Sequence, residues 1–436
     1  MESSYRQIWR IAWPILGASL AQNVVSLVDT VFLGLLGRTE LAAGGIGVVF
    51  FLTVGFIGLG LGTGVQVLTA QALGQGEEKV LGSLLRQSLW VSGFIGLLLL
   101  LAMWQGVPSL LEWVMHEPTT QATTTYFLQG RSLELLPLMI FGVLRGYFSG
   151  TAQATYILRA NLLLALSNLV LNAFFVLALE WGLTGVIAGS VLAQYLATGY
   201  LLAALKWQRY ALGSSTAPPS NWLPSLLRYA GPAILQNLVG MTGWLVFFLL
   251  IERRGSLALA AANIVRSLYS FTMLPTWAFS TAVGTLVGYY WGARAPQPLL
   301  QAFWRAWKLA QTLNLFLAIG LSMGAPFWVS LFTRDAAVAA QAQVDLYMVA
   351  VSLVLMPFSA LLISAVVGVG AVLWAFLIEV LIITLYVTYA VVLEEKGVSV
   401  TWLWSAEWVY WVPSAVALGG VFAAKIRRFR VVTVVP

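Results

Sequence analysis

Apolar runs long enough to cross a lipid bilayer recur along the whole chain, and no other feature of the sequence constrains its fold as strongly. A transmembrane helix needs roughly 20 mostly apolar residues. Twelve such runs are present, at residues 8–34, 41–72, 83–107, 123–149, 157–179, 183–206, 227–251, 257–290, 301–323, 343–368, 370–392 and 402–424. The runs are continuous rather than alternating, so they predict helices and not the strands of a membrane barrel. The sequence therefore predicts an all-α integral membrane protein with twelve transmembrane helices.

Composition agrees with this prediction and argues against a separate aqueous domain. Only 9% of the 436 residues are charged and 60% are hydrophobic, whereas soluble domains carry about 25% charged residues. The longest polar stretch, residues 208–226, is only long enough for a linker. The net charge of +7 needs no nucleic-acid partner, because positive loops are a topology signal in membrane proteins. We expect contact with the lipid bilayer and no binding of nucleic acid.

The distribution of Lys and Arg predicts the orientation in the membrane. With the N-terminus inside, sixteen basic residues fall in cytoplasmic segments and five in outer segments. Such an excess marks the cytoplasmic side. Both termini are therefore expected in the cytoplasm, in agreement with an even number of spans.

The second half of the chain repeats the first, because one constant shift matches Pro14 with Pro232, Gly37 with Gly255 and Gly74 with Gly292. An internal duplication of six helices is typical of alternating-access transporters, in which substrate binds between the halves. The repeat predicts two pseudo-symmetric lobes of six helices each and a cytoplasmic linker between them, at residues 1–207, 227–436 and 208–226.

Asp29 is the most informative polar residue, because it lies within the apolar span 8–34. An ionisable side chain at bilayer depth costs about 2.5 to 3.5 kcal/mol on insertion scales and usually serves a function. Polar groups precede it in the same span, at Gln22, Asn23 and Ser26. We interpret Asp29 as the site of a coupling cation or proton and its polar neighbours as lining a substrate cavity. A purely structural role for the acid is the alternative.

The duplication argues for the functional interpretation, because Asp29 matches Phe247 and Ser26 matches Trp244 in the second half. A packing role would predict similar residues in both halves. The difference instead indicates an ion site in the N-terminal lobe. It also indicates an aromatic wall around Trp244 in the C-terminal lobe, with Met241 beside it, which would suit flat or cationic organic molecules. Lipid contact or core packing is the alternative for each aromatic side chain.

Other charged side chains within the spans leave structural and functional interpretations open. Asn263 and Arg266 lie one helical turn apart and either line the substrate cavity or reach the interface. Arg131 and Glu134 are three residues apart, and we interpret them as a local ion pair with a structural role. Glu379 is a lone acid in an apolar run and a second candidate for protonation.

Four stretches of the sequence resemble one family of transporters. They are PILGASLAQNVVSLVDTVFLGLLG at Pro14–Gly37, GTGVQVLTAQALGQG at Gly62–Gly76, NLVLNAFFVLALEWGLTGVIAGSVLAQY at Asn168–Tyr195 and AANIVRSLYSFTMLPTWAF at Ala261–Phe279. The first two resemble helices of the multidrug and toxic compound extrusion (MATE) transporters, and the last two those of the DinF-like branch.

The resemblance implies two six-helix lobes opening as a V in the bacterial cytoplasmic membrane. It also implies export of small amphiphilic or cationic organic molecules in exchange for protons or sodium. We expect no cofactor beyond the coupling ion, and a monomer.

The same resemblance implies a set of residues for the coupling ion. The DinF-like branch has an Asn followed four residues later by an Asp on the fifth helix, and these positions read here Asn168 and Asn172. Ser190 on the sixth helix stands where the branch often has a hydroxyl group. Together with Asp29 these residues form the expected cation or proton site. This expected site has only one carboxylate, whereas a sodium site favours several oxygen ligands. We therefore favour a proton, while sodium remains possible at Asp29.

Two other functions are weighed against efflux. Lipid-linked oligosaccharide flippases of the same superfamily share the two-lobe plan but often have a cationic cavity, for which Arg266 alone provides too little basic lining. A membrane-embedded enzyme lacks the necessary groups, since the chain has no cysteine and a single histidine, His116, in a loop. We therefore predict a transporter and not an enzyme.

Overall fold

A computed structural model of the chain describes residues 1–207 and 221–434, and all side chains in these ranges other than those of Leu52, Trp207 and residues 430–434. All regular secondary structure in these ranges is helical. In chain order the helices are α1 (Tyr5–Leu36), α2 (Arg38–Gly74), α3 (Leu81–Val114), α4 (Pro118–Ser132), α5 (Leu135–Gly150), α6 (Ala154–Ala173), α7 (Gly182–Ala204), α8 (Leu223–Glu252), α9 (Ser256–Gly292), α10 (Pro296–Met323), α11 (Ala325–Ser330), α12 (Ala336–Gly368), α13 (Val372–Glu395), α14 (Val400–Leu403) and α15 (Ala406–Val434). Most of the predicted linker 208–226, namely residues 208–220, lies outside the described residues.

The predicted spans are confirmed as helices. In the described part of the chain, ten helices are each long and apolar enough to cross a membrane, and the bent pair α4–α5 raises this number to eleven. Helix α10 coincides with the predicted span 301–323 and carries Arg305 and Lys308 in its first half. The chain is thus a multi-pass helical membrane protein.

The span predicted at 123–149 is wrong in one respect, because it is not a single continuous helix. Helix α4 ends at Ser132 and α5 begins at Leu135, and the two are bent by 49°. Pro137 explains the position of the break, because it has no N–H and its ring clashes with the carbonyl four residues earlier. Its counterpart Pro357 lies inside the uninterrupted helix α12. The break is therefore a feature of the first half alone.

The duplication is visible in the bounds of the helices. The shift that matches Pro14 with Pro232 also carries the start of α1 onto the start of α8, and both ends of α2 onto both ends of α9. The principal packing partners also correspond, since α2 packs along α5 and α9 packs along α12.

Helices α2 and α5 cross through direct contact between their backbones. A Cβ atom added to Gly146 would collide with the carbonyl group of Gly62, and one added to Gly142 with that of Gly58. In the second half, a Cβ atom on Gly368 would lie 3.0 Å from the carbonyl oxygen of Gly284. Small residues at such crossings let membrane helices approach closely enough for backbone packing.

The contacts divide the chain into two compact units. The N-terminal unit is Pro14–Ile234, and the C-terminal unit combines Met1–Trp13 with Leu235–Pro436. Helices α1 and α8 therefore each change unit, close to Pro14 and Pro232.

The first residues of the chain are anchored within the C-terminal unit. The Tyr290 hydroxyl donates to the carbonyl oxygen of Met1 at 2.8 Å, and Arg305 Nη1 donates to that of Ser3 at 2.9 Å. Trp9 also packs on Phe279, with ring centroids 5.8 Å apart. The start of α1 thus belongs structurally to helices from the second half of the chain.

Glu117 caps the N-terminus of α4 and predicts a local dependence of stability on pH. Its carboxylate accepts from the backbone N–H groups of Thr119 at 3.1 Å and Thr120 at 2.5 Å. The hydrogen bonds with Thr120 lower the pKa of Glu117 below its ordinary value of 4.5. The cap therefore stabilises the helix fully above that value and is lost as the pH falls through the lower folded-state pKa. We expect Glu117→Gln to lower the melting temperature at about pH 7, and this difference to shrink steadily as the pH falls below 4.5 and through the lower folded-state pKa. A difference that stays constant over this pH range would contradict the cap.

Candidate functional site

Asp29 lies in the last third of α1 and is buried, with 8% of its surface exposed. Its Oδ1 atom accepts three hydrogen bonds, from Asn168 Nδ2 at 2.9 Å, Asn172 Nδ2 at 3.0 Å and the Ser190 hydroxyl at 2.9 Å. Asn168 Nδ2 also donates to the Ser190 oxygen at 3.1 Å. The structure thus brings together the four residues that the sequence analysis assigned to the coupling ion.

The second oxygen of Asp29 is held by an arginine. Arg131 Nη1 lies 2.7 Å from Asp29 Oδ2, and Arg131 Nη2 lies 3.0 Å from Glu134 Oε1. The guanidinium also lies 5.3 Å from the ring centroid of Phe51 and 5.7 Å from that of Phe127. The two largely buried carboxylates therefore share one guanidinium, which also contacts two aromatic rings.

Local structure explains how these side chains converge. Asn168 and Asn172 lie one turn apart on α6, so their amide groups point in the same direction. Gly189 on α7 gives Asn172 the necessary space, because a Cβ atom there would collide with its Oδ1 atom. The break between α4 and α5 places Arg131 in the last turn of α4 and Glu134 immediately before α5.

Several buried polar atoms around Asp29 remain without a hydrogen-bond partner among the described residues. They are Asn168 Oδ1, Asn172 Oδ1 and Arg131 Nε. Buried polar atoms in folded proteins are normally paired. The site therefore holds two spare acceptors and one spare donor in addition to an ion pair.

The sequence pattern does not indicate Arg131 as the partner of Asp29. The 3.0 Å contact confirms the predicted local pair of Arg131 and Glu134, but the contact with Asp29 spans 102 residues of sequence. One signal was present in the sequence, since Arg131 falls well inside the predicted span 123–149. A charge in that position requires a partner or water.

The other polar candidates on α1 lie apart from this cluster. Gln22, Asn23 and Ser26 are exposed, whereas Asp29 is buried. Asn23 Nδ2 donates to the carbonyl oxygen of Ser19 at 2.9 Å, within its own helix. These three residues are available to a ligand but contribute nothing to the polar surroundings of Asp29.

In the C-terminal unit, the predicted cavity residues form part of an aromatic and basic surface. Trp244 stacks with Phe248 at 5.9 Å and with Tyr269 at 6.2 Å between ring centroids. Arg266 is exposed, lies over the Phe248 ring at 5.5 Å and donates to Asn263 Oδ1 at 3.1 Å. Met241 is half-buried three residues before Trp244 on α8.

Two buried glutamates lie deeper in the C-terminal unit. Glu379 accepts from the Tyr410 hydroxyl at 2.9 and 3.1 Å. Glu407, which the sequence analysis did not single out, accepts from Tyr269 at 3.1 Å, Tyr386 at 3.3 Å and Trp411 Nε1 at 3.3 Å. Among the described residues neither acid has a Lys or Arg partner within salt-bridge distance, in contrast to Asp29.

The neutral donors around Glu407 lead to a prediction about stability. We expect Glu407→Leu to destabilise the protein by about 1–3 kcal/mol or more, because it leaves buried hydroxyl and indole N–H groups without an acceptor. Glu407→Gln keeps a carbonyl oxygen for Tyr269 and Trp411, and its amide N–H can donate to the Tyr386 oxygen, so this variant is expected to melt close to the wild type. Thermal unfolding of the purified variants in detergent measures the difference. Equal losses for Leu and Gln would show that the donors do not depend on this acceptor.

Solved structures and sequence relatives identify the class of protein that this fold and site define. The chain superposes on a MOP superfamily transporter from Pyrococcus furiosus with a TM-score of 0.89, at 19% identity, over 99% of this chain and 97% of that one. An outward-facing multidrug resistance MATE family transporter gives a TM-score of 0.89 at 20% identity, again over 99% of this chain and 97% of that one. The fold is therefore that of the MATE transporters.

The family assignment follows from sequence. The family model described as MatE matches residues 14–174 and again residues 232–392, so the two matches begin at the aligned prolines Pro14 and Pro232. The chain belongs to the MatE family, and the internal duplication is confirmed.

Curated relatives cover most of the chain. The probable multidrug resistance protein NorM of Synechocystis sp. is 27% identical over 73% of this chain and 69% of its own length. NorM of Pseudomonas aeruginosa is 30% identical over 66% of this chain and 61% of its own length. Protein DETOXIFICATION 55 of Arabidopsis thaliana is 23% identical over 76% of this chain and 70% of its own length.

Proposed function

We propose that the protein is a secondary active antiporter that exports drugs, toxic metabolites and other organic cations or amphiphiles in exchange for a cation bound at Asp29. One observation carries the proposal: a carboxylate inside a membrane-spanning helix is buried among three polar donors and a guanidinium. A charge at such depth is costly and is typically retained for function. The names of the NorM relatives, which refer to multidrug resistance, support efflux.

A proton is the favoured coupling ion. Both oxygens of Asp29 already accept hydrogen bonds, and a metal cation would have to displace the Arg131 guanidinium from Oδ2. A proton needs only one lone pair. In the proposed cycle, a proton from outside neutralises Asp29, α1 repacks, and the substrate leaves outward; loss of the proton to the cytoplasm resets the site.

The proposal includes a monomer in the bacterial inner membrane with both termini in the cytoplasm. Residues 1–207 and 227–436 act in it as the two lobes of an alternating-access transporter. The excess of Lys and Arg in the segments assigned to the inside supports the orientation, and the matched bounds of α2 and α9 support the repeat.

For the substrate, the proposal assigns two surfaces. The exposed side chains of Gln22, Asn23 and Ser26 offer hydrogen bonds, and the surface around Trp244 and Arg266 offers flat aromatic contacts. A lipid-linked oligosaccharide is the alternative substrate, but Arg266 is the only basic group among these five residues, which is little to bind a pyrophosphate.

Flux through the full-length protein in liposomes tests the function. Proton and sodium gradients are imposed separately, with ethidium as an organic cation and with a lipid-linked oligosaccharide as the competing substrate. We expect the proton gradient to drive ethidium transport and the oligosaccharide to remain in its leaflet. Transport of the oligosaccharide without a gradient would contradict the proposed antiporter and indicate a flippase instead.

A further inference from the structure

The arginine beside Asp29 suggests how the site handles charge when no coupling ion is present. We infer that Arg131 is a tethered counter-ion, which pairs with Asp29 in the ion-free state, keeps sodium away from the carboxylate while it is there, and transfers to Glu134 when a proton binds Asp29. The inference rests on the proposed function of Asp29 and adds two residues, Arg131 and Glu134, to its site.

The contacts place the guanidinium between two acceptors. Each carboxylate uses a different terminal nitrogen, Nη1 for Asp29 at 2.7 Å and Nη2 for Glu134 at 3.0 Å. Neither acid therefore holds the planar two-nitrogen contact that guanidinium and carboxylate groups can form. A small rotation of the Arg131 side chain would exchange the shared arrangement for a paired contact with Glu134.

Charge balance gives this exchange its direction. The side chains of Arg131, Asp29 and Glu134 are only 13%, 11% and 8% exposed. Two buried carboxylates with one guanidinium carry one uncompensated negative charge, which is costly away from water. A proton on Asp29 removes that charge, so Asp29 can give up Arg131 once it is protonated, provided that Glu134 receives the guanidinium.

The break after α4 makes the transfer possible without moving a helix. Glu134 lies three residues from Arg131, between α4 and α5, whereas Asp29 lies on α1. When Tyr126 is matched with Tyr347, Arg131 corresponds to Ser352, so the second half lacks this arginine. The device therefore belongs to the half of the chain that carries Asp29.

The same geometry disfavours sodium in the wild-type protein. A sodium ion at Asp29 Oδ2 would lie beside the positive guanidinium, and like charges at such distances repel strongly in a buried site. Asn168 Oδ1 and Asn172 Oδ1 lack partners among the described residues and could otherwise serve as ligands. Removing the guanidinium is thus expected to leave a carboxylate with nearby oxygens that accepts sodium.

Sodium binding tests the first part of the inference. The melting temperature of the purified full-length protein is compared in sodium chloride and choline chloride, since a ligand that binds the folded state stabilises it. We expect no sodium-specific shift for the wild type or for the control Arg159→Gln, a clear upward shift for Arg131→Gln, and loss of that shift in Asp29→Asn/Arg131→Gln. If Arg131→Gln does not fold, Arg131→Gln/Glu134→Gln buries one carboxylate fewer and is expected to show the same shift. A shift of the same size in the wild type, no shift in a folded variant that lacks Arg131, or a shift that persists without Asp29 would overturn the inference.

The concentration dependence of transport tests the transfer to Glu134. In Glu134→Gln the guanidinium has no other acid, so we expect the concentration of coupling cation that gives half-maximal export to rise by about tenfold or more, within the range typical of coupled sites. Glu112→Gln, an exposed acid on α3, serves as the control. A purely structural Glu134 would lower yield or maximal rate with an unchanged half-maximal concentration, and that result would refute the transfer.

If Asp29→Asn exports like the wild type, the proposed function itself fails; if only the Arg131 and Glu134 variants behave like the wild type, the tethered counter-ion alone is wrong.

Discussion

Asp29→Asn is expected to abolish gradient-driven export, with a fall of at least about a hundredfold to the level of empty liposomes. An amide has nearly the same shape but neither ionises nor holds a cation, so the gradient has no group through which to act. The variant is expected to fold, because Arg131 keeps its contact with Glu134. Ethidium efflux from liposomes under an imposed proton gradient measures the effect.

Asp335→Asn is the matched control for this experiment. Asp335 is an exposed acid that caps the N-terminus of α12 through hydrogen bonds to Ala337 and Val338. Asparagine is an equally good cap, so transport by this variant should equal that of the wild type. Undiminished export by folded Asp29→Asn would rule out a coupling role for the acid.

Gly146→Val is expected to remove most of the folded protein. The Cβ atom alone would collide with the Gly62 carbonyl group, and both partners are backbone that cannot rotate away. Helices α2 and α5 would have to separate along a principal contact of the N-terminal unit. The yield of monodisperse protein in size-exclusion chromatography measures the loss.

Gly93→Val provides the comparison, because nothing lies within 4 Å of a Cβ atom at Gly93 on α3. It makes the same change in a membrane helix without the crossing, and should leave the yield close to that of the wild type. Equal yields for the two variants would mean that α2 and α5 tolerate a wider separation.

The sequence predicted the helices well because their signal is local. An apolar run has to be as long as the bilayer is thick, and one constant shift aligns α2 with α9 without any knowledge of contacts. The break before α5 was harder to place, since a proline such as Pro137 or Pro357 either kinks a helix or interrupts it, depending on its packing.

The site was only partly predictable, because its contacts are distant in sequence. The resemblance to a family supplied Asn168, Asn172 and Ser190, and the structure places all three on Asp29. Arg131 has an acid three residues away that pairs with its charge. A local partner satisfied the sequence pattern and obscured the second partner on another helix.

The distribution of α1 between the two units has a consequence for biosynthesis. Ile8 and Ile11 are fully buried in the finished protein, and Trp9 packs on Phe279. These residues are translated before α9, although they belong to a compact unit whose other residues all follow position 234 in the chain. The start of α1 can therefore reach its final packing only after α9 has been synthesised.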